Sequence, residues 1–277
     1  MERALINEVV DEGALLAKLG PETRYGRTVG DRRFWLLLLR NAAIASGHPQ
    51  TTELLLNEPE LIVDPVTRSR QILEWLHELL IADPASAAAV VRDARPRILK
   101  WGKWQGWSDE LLVFSVMNLG DAVMFAAETF KAAPLTEAER AELYGSITAL
   151  ARLMGLDDPV IPVDHAAHRA YMDEQLRDTI SRRAVHDMIG RLEAPCPDAI
   201  PPFLWTAGQV PSRHLVRIVL GATLPDITRE RYGLELSARE GLEWAAIERS
   251  LWAFGALPDR VRLVPAARRD RGERLAA

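Results

Sequence analysis

The sequence contains one cysteine, Cys196, in 277 residues. A lone thiol excludes an intramolecular disulfide and any zinc site built on several thiolates, and it fits a reducing compartment. An excess of positive charge is also missing: 34 Lys and Arg stand against 39 Asp and Glu, the net charge is −5, and the basic residues are dispersed. Without the electrostatic footprint that a phosphate backbone requires, no nucleic-acid partner is expected. The chain has no glycine-rich phosphate loop, no G-x-S-x-G elbow and no H-E-x-x-H pair. The strongest generic signatures of phosphate, acyl and zinc chemistry are therefore absent. Alternating apolar and polar runs bounded by turn dipeptides are scarce, so little sheet is expected. Internal repeats and low-complexity tracts are absent too. The first twenty residues, "MERALINEVVDEGALLAKLG", carry charge throughout and lack the uninterrupted apolar core of a secretory signal, which leads to the expectation of a cytoplasmic protein.

What is present is helical periodicity. With 48% apolar and 26% charged residues the composition is that of a folded globular chain, and stretches such as "RQILEWLHELLIA" and "RAELYGSITALARLMGL" repeat their apolar residues at helical spacing. The pattern predicts helices over 4–19, 31–46, 50–57, 66–82, 84–99, 108–131, 136–154, 164–190, 211–222 and 237–255. Start and stop signals agree: Asp83-Pro84 places a cap before a first-turn proline, Thr136 with Glu139 and Ser237 with Glu240 form capping boxes, and Gly155 follows a long helix. The main break is "EAPCPDAIPPFLW", residues 193–205. The residues after it have too few long apolar faces to fold alone. The expectation is an all-α, single-domain, multi-helix bundle around a buried central helix, divided as an N-terminal helix over 1–30, the helical domain over 31–265 and a basic tail over 266–277.

The central helix poses the functional question. Residues 111–127 are apolar except for a few polar positions, among them Asn118 and Asp121. A membrane span of this composition would place Asp121 near its middle at about 2.5 to 3.5 kcal/mol on insertion scales, so a helix buried in protein is the expectation and no membrane span is predicted. Asn118 and Asp121 share a face at i, i+3. The carboxylate either pairs with a buried arginine or faces a cavity where a ligand meets it.

Around it lie weaker signals. Trp101, Trp104 and Trp107 recur every third residue and either line an aromatic pocket or anchor the helix entrance. Arg68, Arg70, Arg92, Arg95 and Arg97 sit on two helices that precede the central one. Guanidinium groups suit carboxylate, phosphate or sulfate, so these arginines either converge on an anion or form a solvated face. His165 and His168 share a helical face at a spacing that can share a metal. With Asp164 as their only neighbouring ligand, they read as surface or capping residues, and no metal site is predicted.

The chain resembles the catalytic-domain family of MpaB and rubber oxygenase (latex-clearing protein), all-helical proteins that bind haem b. "FWLLLLRNAAIASGHPQTTE" looks like the family's opening helix, and "TRSRQILEWLHELLIAD" like the arginine-led helix after it. The segment from "DELLVFSVMNLGDAVMFAAETF" through "PLTEAERAELYGSITALARLMGL" is similar to the family's central helix, turn and following helix. "VIPVDHAAHRAYMDE" and "TLPDITRERYGLELSARE" are similar to later family segments.

The departures fall on the chemistry. Where the family's central helix has tryptophan, valine and then the axial histidine, "VFSVMN" has Phe114 and Val116, and an earlier family histidine falls on Arg95. Arg68 and Asp121 match the family's arginine and aspartate.

The resemblance implies an oxygenase fold, and its departures together with the polar residues lead to the expectation of a repurposed enzyme acting on a small molecule in bacterial natural-product biosynthesis, working without haem by acid–base or anion-expelling chemistry such as an intramolecular displacement or elimination that closes a small ring. Asp121 and Asn118 are its candidate catalytic residues. Arg68, Arg92, Arg95, Trp104 and Trp107 are candidate contacts to a substrate, an anionic one if the arginines converge. Two alternatives stand beside this: haem b held by His48, His77 or His165 for the family's oxygenation or hydroxylation, and a non-catalytic ligand-binding or partner-stabilising subunit in a homo- or hetero-oligomer.

Overall fold

Residues 111–127 fall inside a 21-residue helix, Asp109–Thr129, in the computed structural model, which describes residues 12–51, 109–130, 134–178 and 202–264. In chain order the described α-helices are α1 (Glu12–Ala17), α2 (Arg24–Val29), α3 (Phe34–Gly47), α4 (Asp109–Thr129), α5 (Glu137–Leu153), α6 (His165–Asp178), α7 (Pro202–Thr223), α8 (Asp226–Tyr232), α9 (Ala238–Gly255) and α10 (Asp259–Arg262), with a short 3₁₀ turn over Asp158–Val160. The described residues form no strand. One isolated antiparallel bridge joins Asp31 to Leu263. The fold is all-α, as the periodicity predicts.

Helix α4 is the centre because it is apolar on every side. Leu111, Phe114, Met117, Ala122, Val123 and Ala126 are each buried although they point around the whole circumference. Such a helix must be enclosed by others, and α2, α3, α5 and α6 all pack on it. By length and composition it is also the one described helix that could cross a bilayer, but 78% of that window lies inside the protein. Gly120 sets the approach of α5: a Cβ there would stand 2.7 Å from Cγ2 of Ile147. Helix α7 packs on α3, and α9 packs on α7 as an outer layer with no buried residue of its own.

Local signals place the helix ends. Thr136 accepts from the Glu139 amide while the Glu139 side chain takes the Thr136 amide, and Ser237 and Glu240 repeat the arrangement at α9. Helix α5 ends at Gly155, with φ of 81°, where the Leu156 amide donates back to the Ala151 carbonyl. The structure differs from the sequence expectation at α7, which begins at Pro202 and runs through Pro211. A proline is well placed in the first turn, where its missing N–H has no intrahelical acceptor. Helices α2 and α8 have 6 and 7 residues, too short to show an apolar period.

Candidate functional site

Helices α3 and α4 run antiparallel, and their shared seam carries polar groups that an apolar interface would omit. Phe114, Asn118, Asp121 and Phe125 fall on one stripe of α4 at helical spacing. Facing them from α3 and its C-terminal cap are His48, Asn41 and Arg40.

Arg40 is the partner of Asp121. The guanidinium Nη1 and the carboxylate Oδ2 form an ion pair, with the arginine side chain 4% exposed and the aspartate 25% exposed. Arg40 Nε donates to the Thr223 carbonyl at 2.8 Å, the last residue of α7 and one of the carbonyls a helix leaves without an intrahelical partner. A cation there also meets the negative end of the helix dipole. The guanidinium lies over the Phe125 ring, 4.9 Å from its centroid. One side chain thus ties α3, α4 and α7 together. Asp121 Oδ2 is buried against Arg40, while the aspartate side chain as a whole keeps its partial exposure.

Asn118 is 1% exposed. Its Nδ2 donates to the Asn41 carbonyl at 3.0 Å, which fixes the amide orientation because a carbonyl only accepts. Oδ1 has no partner. His48 is 3% exposed, its ring 4.6 Å from that of Phe114, and neither ring nitrogen has a partner. Burial pushes its pKa down against the pull of Glu110. Unpartnered buried polar atoms are rare in folded proteins, and each costs about 1–3 kcal/mol. Asn118 Oδ1 and both ring nitrogens of His48 place three such atoms along one seam.

On the α6 side of α4, His168 corrects the reading of the H-A-A-H pair as surface or capping residues. It is 1% exposed, stacked on Tyr144 with centroids 5.5 Å apart, and its Nε2 lies 2.9 Å from the Met117 carbonyl. Nε2 must carry the proton in that bond, leaving Nδ1 as a buried lone pair without a partner. Burial lowers the imidazole pKa, while the Met117 carbonyl and the field of Asp121 oppose the shift. His165 sits on the first turn, 6.4 Å from it between ring centroids, and Asp164 caps that turn by accepting from the Ala167 amide at 2.8 Å. Among the described residues no three His, Cys, Asp or Glu side chains are grouped to hold a metal.

Near the C-terminal end of α4 lies a separate cleft of about 360 Å³, lined by Arg24, Arg27, Arg33, Arg262, Asp31 and Phe130 among others. Its arginines are already engaged. Arg24 meets Glu139 and Glu142, Arg27 meets Glu22, and Asp31 takes Arg33 at 2.7 Å and Arg262 at 2.8 Å. This is an ionic clamp joining α2, α5 and α10, with no charge left over for an anion.

Of the residues singled out from the sequence, Asp121 and Asn118 lie together on the seam. Arg68, Arg92, Arg95, Trp104, Trp107 and His77 lie outside the described residues. Val116, at the place of the family's axial histidine, is 3% exposed and offers no ligating atom; His48, whose ring nitrogens have no partner, is packed on Phe114, and His165 lies on the first turn of α6 beside His168. The described residues therefore do not fit haem in the family's manner. Arg40 was missed, although a lone arginine inside "FWLLLLRNAAIASG" carries the same signal as Asp121.

Neither the curated proteins nor the solved structures contain a match to the chain. A family model described as "ER-bound oxygenase mpaB/B'/Rubber oxygenase, catalytic domain" matches residues 26–256, which takes in all of α3 through α9, and the chain belongs to that family.

Proposed function

We propose that this member of the family is a small-molecule enzyme that uses Asp121 and Asn118 in place of a haem iron. The observation that carries the reading is the Asp121 side chain itself, which Arg40 holds through the buried Oδ2 while the side chain as a whole stays a quarter exposed. A carboxylate needed only to anchor Arg40 gains nothing from that exposure. A carboxylate that receives a substrate N–H or O–H requires it. Val116 at the place of the axial histidine supports chemistry that does not run through iron.

The reaction class that suits this inventory is an intramolecular displacement or elimination. The substrate nucleophile, an amine or hydroxyl, forms a bond to a carbon that bears a sulfate or phosphate ester. The carbon–oxygen bond to that group breaks with its electron pair, and the nucleophile's proton passes to Asp121. Asn118 orients the nucleophile, and Arg68, Arg92 and Arg95 are proposed to receive the departing anion. Catalysis here rests on positioning and proton transfer. Such ring closures belong to bacterial natural-product biosynthesis, and a cytoplasmic setting goes with that proposal.

Arg40 favours a second reading. A guanidinium shared among three helices is what a structural anchor looks like, and a binding subunit without catalysis would keep it. The experiment is to denature freshly purified protein, identify the small molecules released, and repeat it with Asp121→Asn. The proposal expects a released compound that the variant no longer retains. Equal retention by both proteins sinks it, and a strong Soret band before denaturation returns the chain to the family's haem-dependent oxygenation.

A further inference from the structure

Taking the Asp121 site as the place of binding, we infer that the group it holds is a primary amine rather than a hydroxyl. Two acceptor groups follow one another on the α4 stripe, at i and i+3. Asn118 presents Oδ1, because Nδ2 is committed to the Asn41 carbonyl. Asp121 meets Arg40 through Oδ2, and its side chain as a whole is 25% exposed. A tetrahedral nitrogen donating to two oxygens at about 2.9 Å holds them about 4.7 Å apart. Side chains at i, i+3 on one helix stand about 5–6 Å apart at Cβ, so the spacing suits one nitrogen with two N–H groups. A hydroxyl has a single proton and leaves one oxygen unpaired.

Asn118 Oδ1 is covered in this structure. A donor that reaches it removes the penalty of an unpaired buried acceptor, which favours a seam that parts around the ligand. Arg40 already offsets Asp121, and a quaternary ammonium carries the positive charge of a protonated primary amine without any N–H, so comparing the two separates donor recognition from charge.

The test compares three probes of matched length on the full chain: n-butylamine, n-butanol and butyltrimethylammonium, by ligand-observed NMR titration. Butylamine should bind at least about tenfold more tightly than either of the others, the factor one otherwise unpaired buried acceptor supplies. Asn118→Leu should erase that preference. Equal binding of amine and alcohol by the wild-type protein overturns the inference without calling on any variant, and so does an amine preference that survives in a folded Asn118→Leu protein. If the native ligand is lost from Asp121→Asn while the amine preference is absent, the site stands and only the substrate class falls. If Asp121→Asn changes neither, both fall.

Discussion

Replacing Asp121 with alanine leaves Arg40, 4% exposed, without the carboxylate that pairs it. Removing one partner of a fully buried ion pair costs about 3 to 5 kcal/mol. Here the loss should be smaller, because Arg40 keeps the Thr223 carbonyl and the Phe125 ring, and because Asp121 is a quarter exposed, so water can enter the vacated space. An expectation of about 2 to 3 kcal/mol follows from discounting the buried-pair figure. With an unfolding entropy near 2.1 cal/mol/K per residue, that is about 3 to 5 °C in melting temperature for a chain of this length. Asp121→Asn keeps the shape and an acceptor for Arg40 and should lose about half as much. The assay is thermal or urea unfolding of both variants, of Arg40→Met, and of the Arg40→Met/Asp121→Asn double variant. The cycle should return a coupling of about 1 to 2 kcal/mol, as for groups in direct contact. A coupling near zero would mean that the two side chains do not meet, and the account of the seam would fail with it. A stability loss in Asp121→Asn well above the expected value, with the native ligand still retained, would make Asp121 an anchor only.

Two further perturbations test the surroundings. Gly120→Ala places a methyl 2.7 Å from Ile147 Cγ2, a branched position with little freedom to move; overpacking of this kind costs about 1 to 3 kcal/mol, and unfolding curves should show it. His168 should make stability depend on pH. Its folded pKa lies below the ordinary 6.5 because it is buried, with Met117 and Asp121 opposing the shift and His165 adding to it. Below that value the unfolded chain binds a proton that the folded chain resists, so stability contributed by the neutral ring is full above pH 6.5 and is lost as the pH falls through the window beneath it. His168→Gln should flatten that acid limb, while an unchanged slope would refute the neutral, buried imidazole.

The fold was legible where a signal is repeated or local. The all-α class, the central helix and both capping boxes follow from apolar period and from side chains that reach only three residues. Helices α2 and α8 fell below the length at which a period can be counted, and α7, expected over 211–222, begins nine residues earlier at Pro202 and runs through Pro211. That proline is an exception the sequence does not announce: its missing amide is tolerated within the helix Pro202–Thr223, whereas an isolated helix would break there.

The site was half legible, and the reason lies in which costs a sequence displays. A charged residue inside an apolar run is expensive to bury, and by that argument Asp121 was found. The same argument applied to Arg40 would have found its partner, since "FWLLLLRNAAIASG" holds one charge in fourteen residues. Instead the arginines of the later helices drew attention because there are several of them. Number is a poor guide here: the crowded arginines at Arg24, Arg33 and Arg262 are spent on Glu139, Glu142 and Asp31, whereas the isolated one supports the seam. His168 hid for the opposite reason. It shares a first turn with Asp164 and His165, where polar residues are ordinary, and only the packing of α6 against α4 turns one imidazole of the pair inward onto the Met117 carbonyl. A carbonyl in the middle of a helix has a second lone pair to offer, and no sequence pattern marks which one will be used.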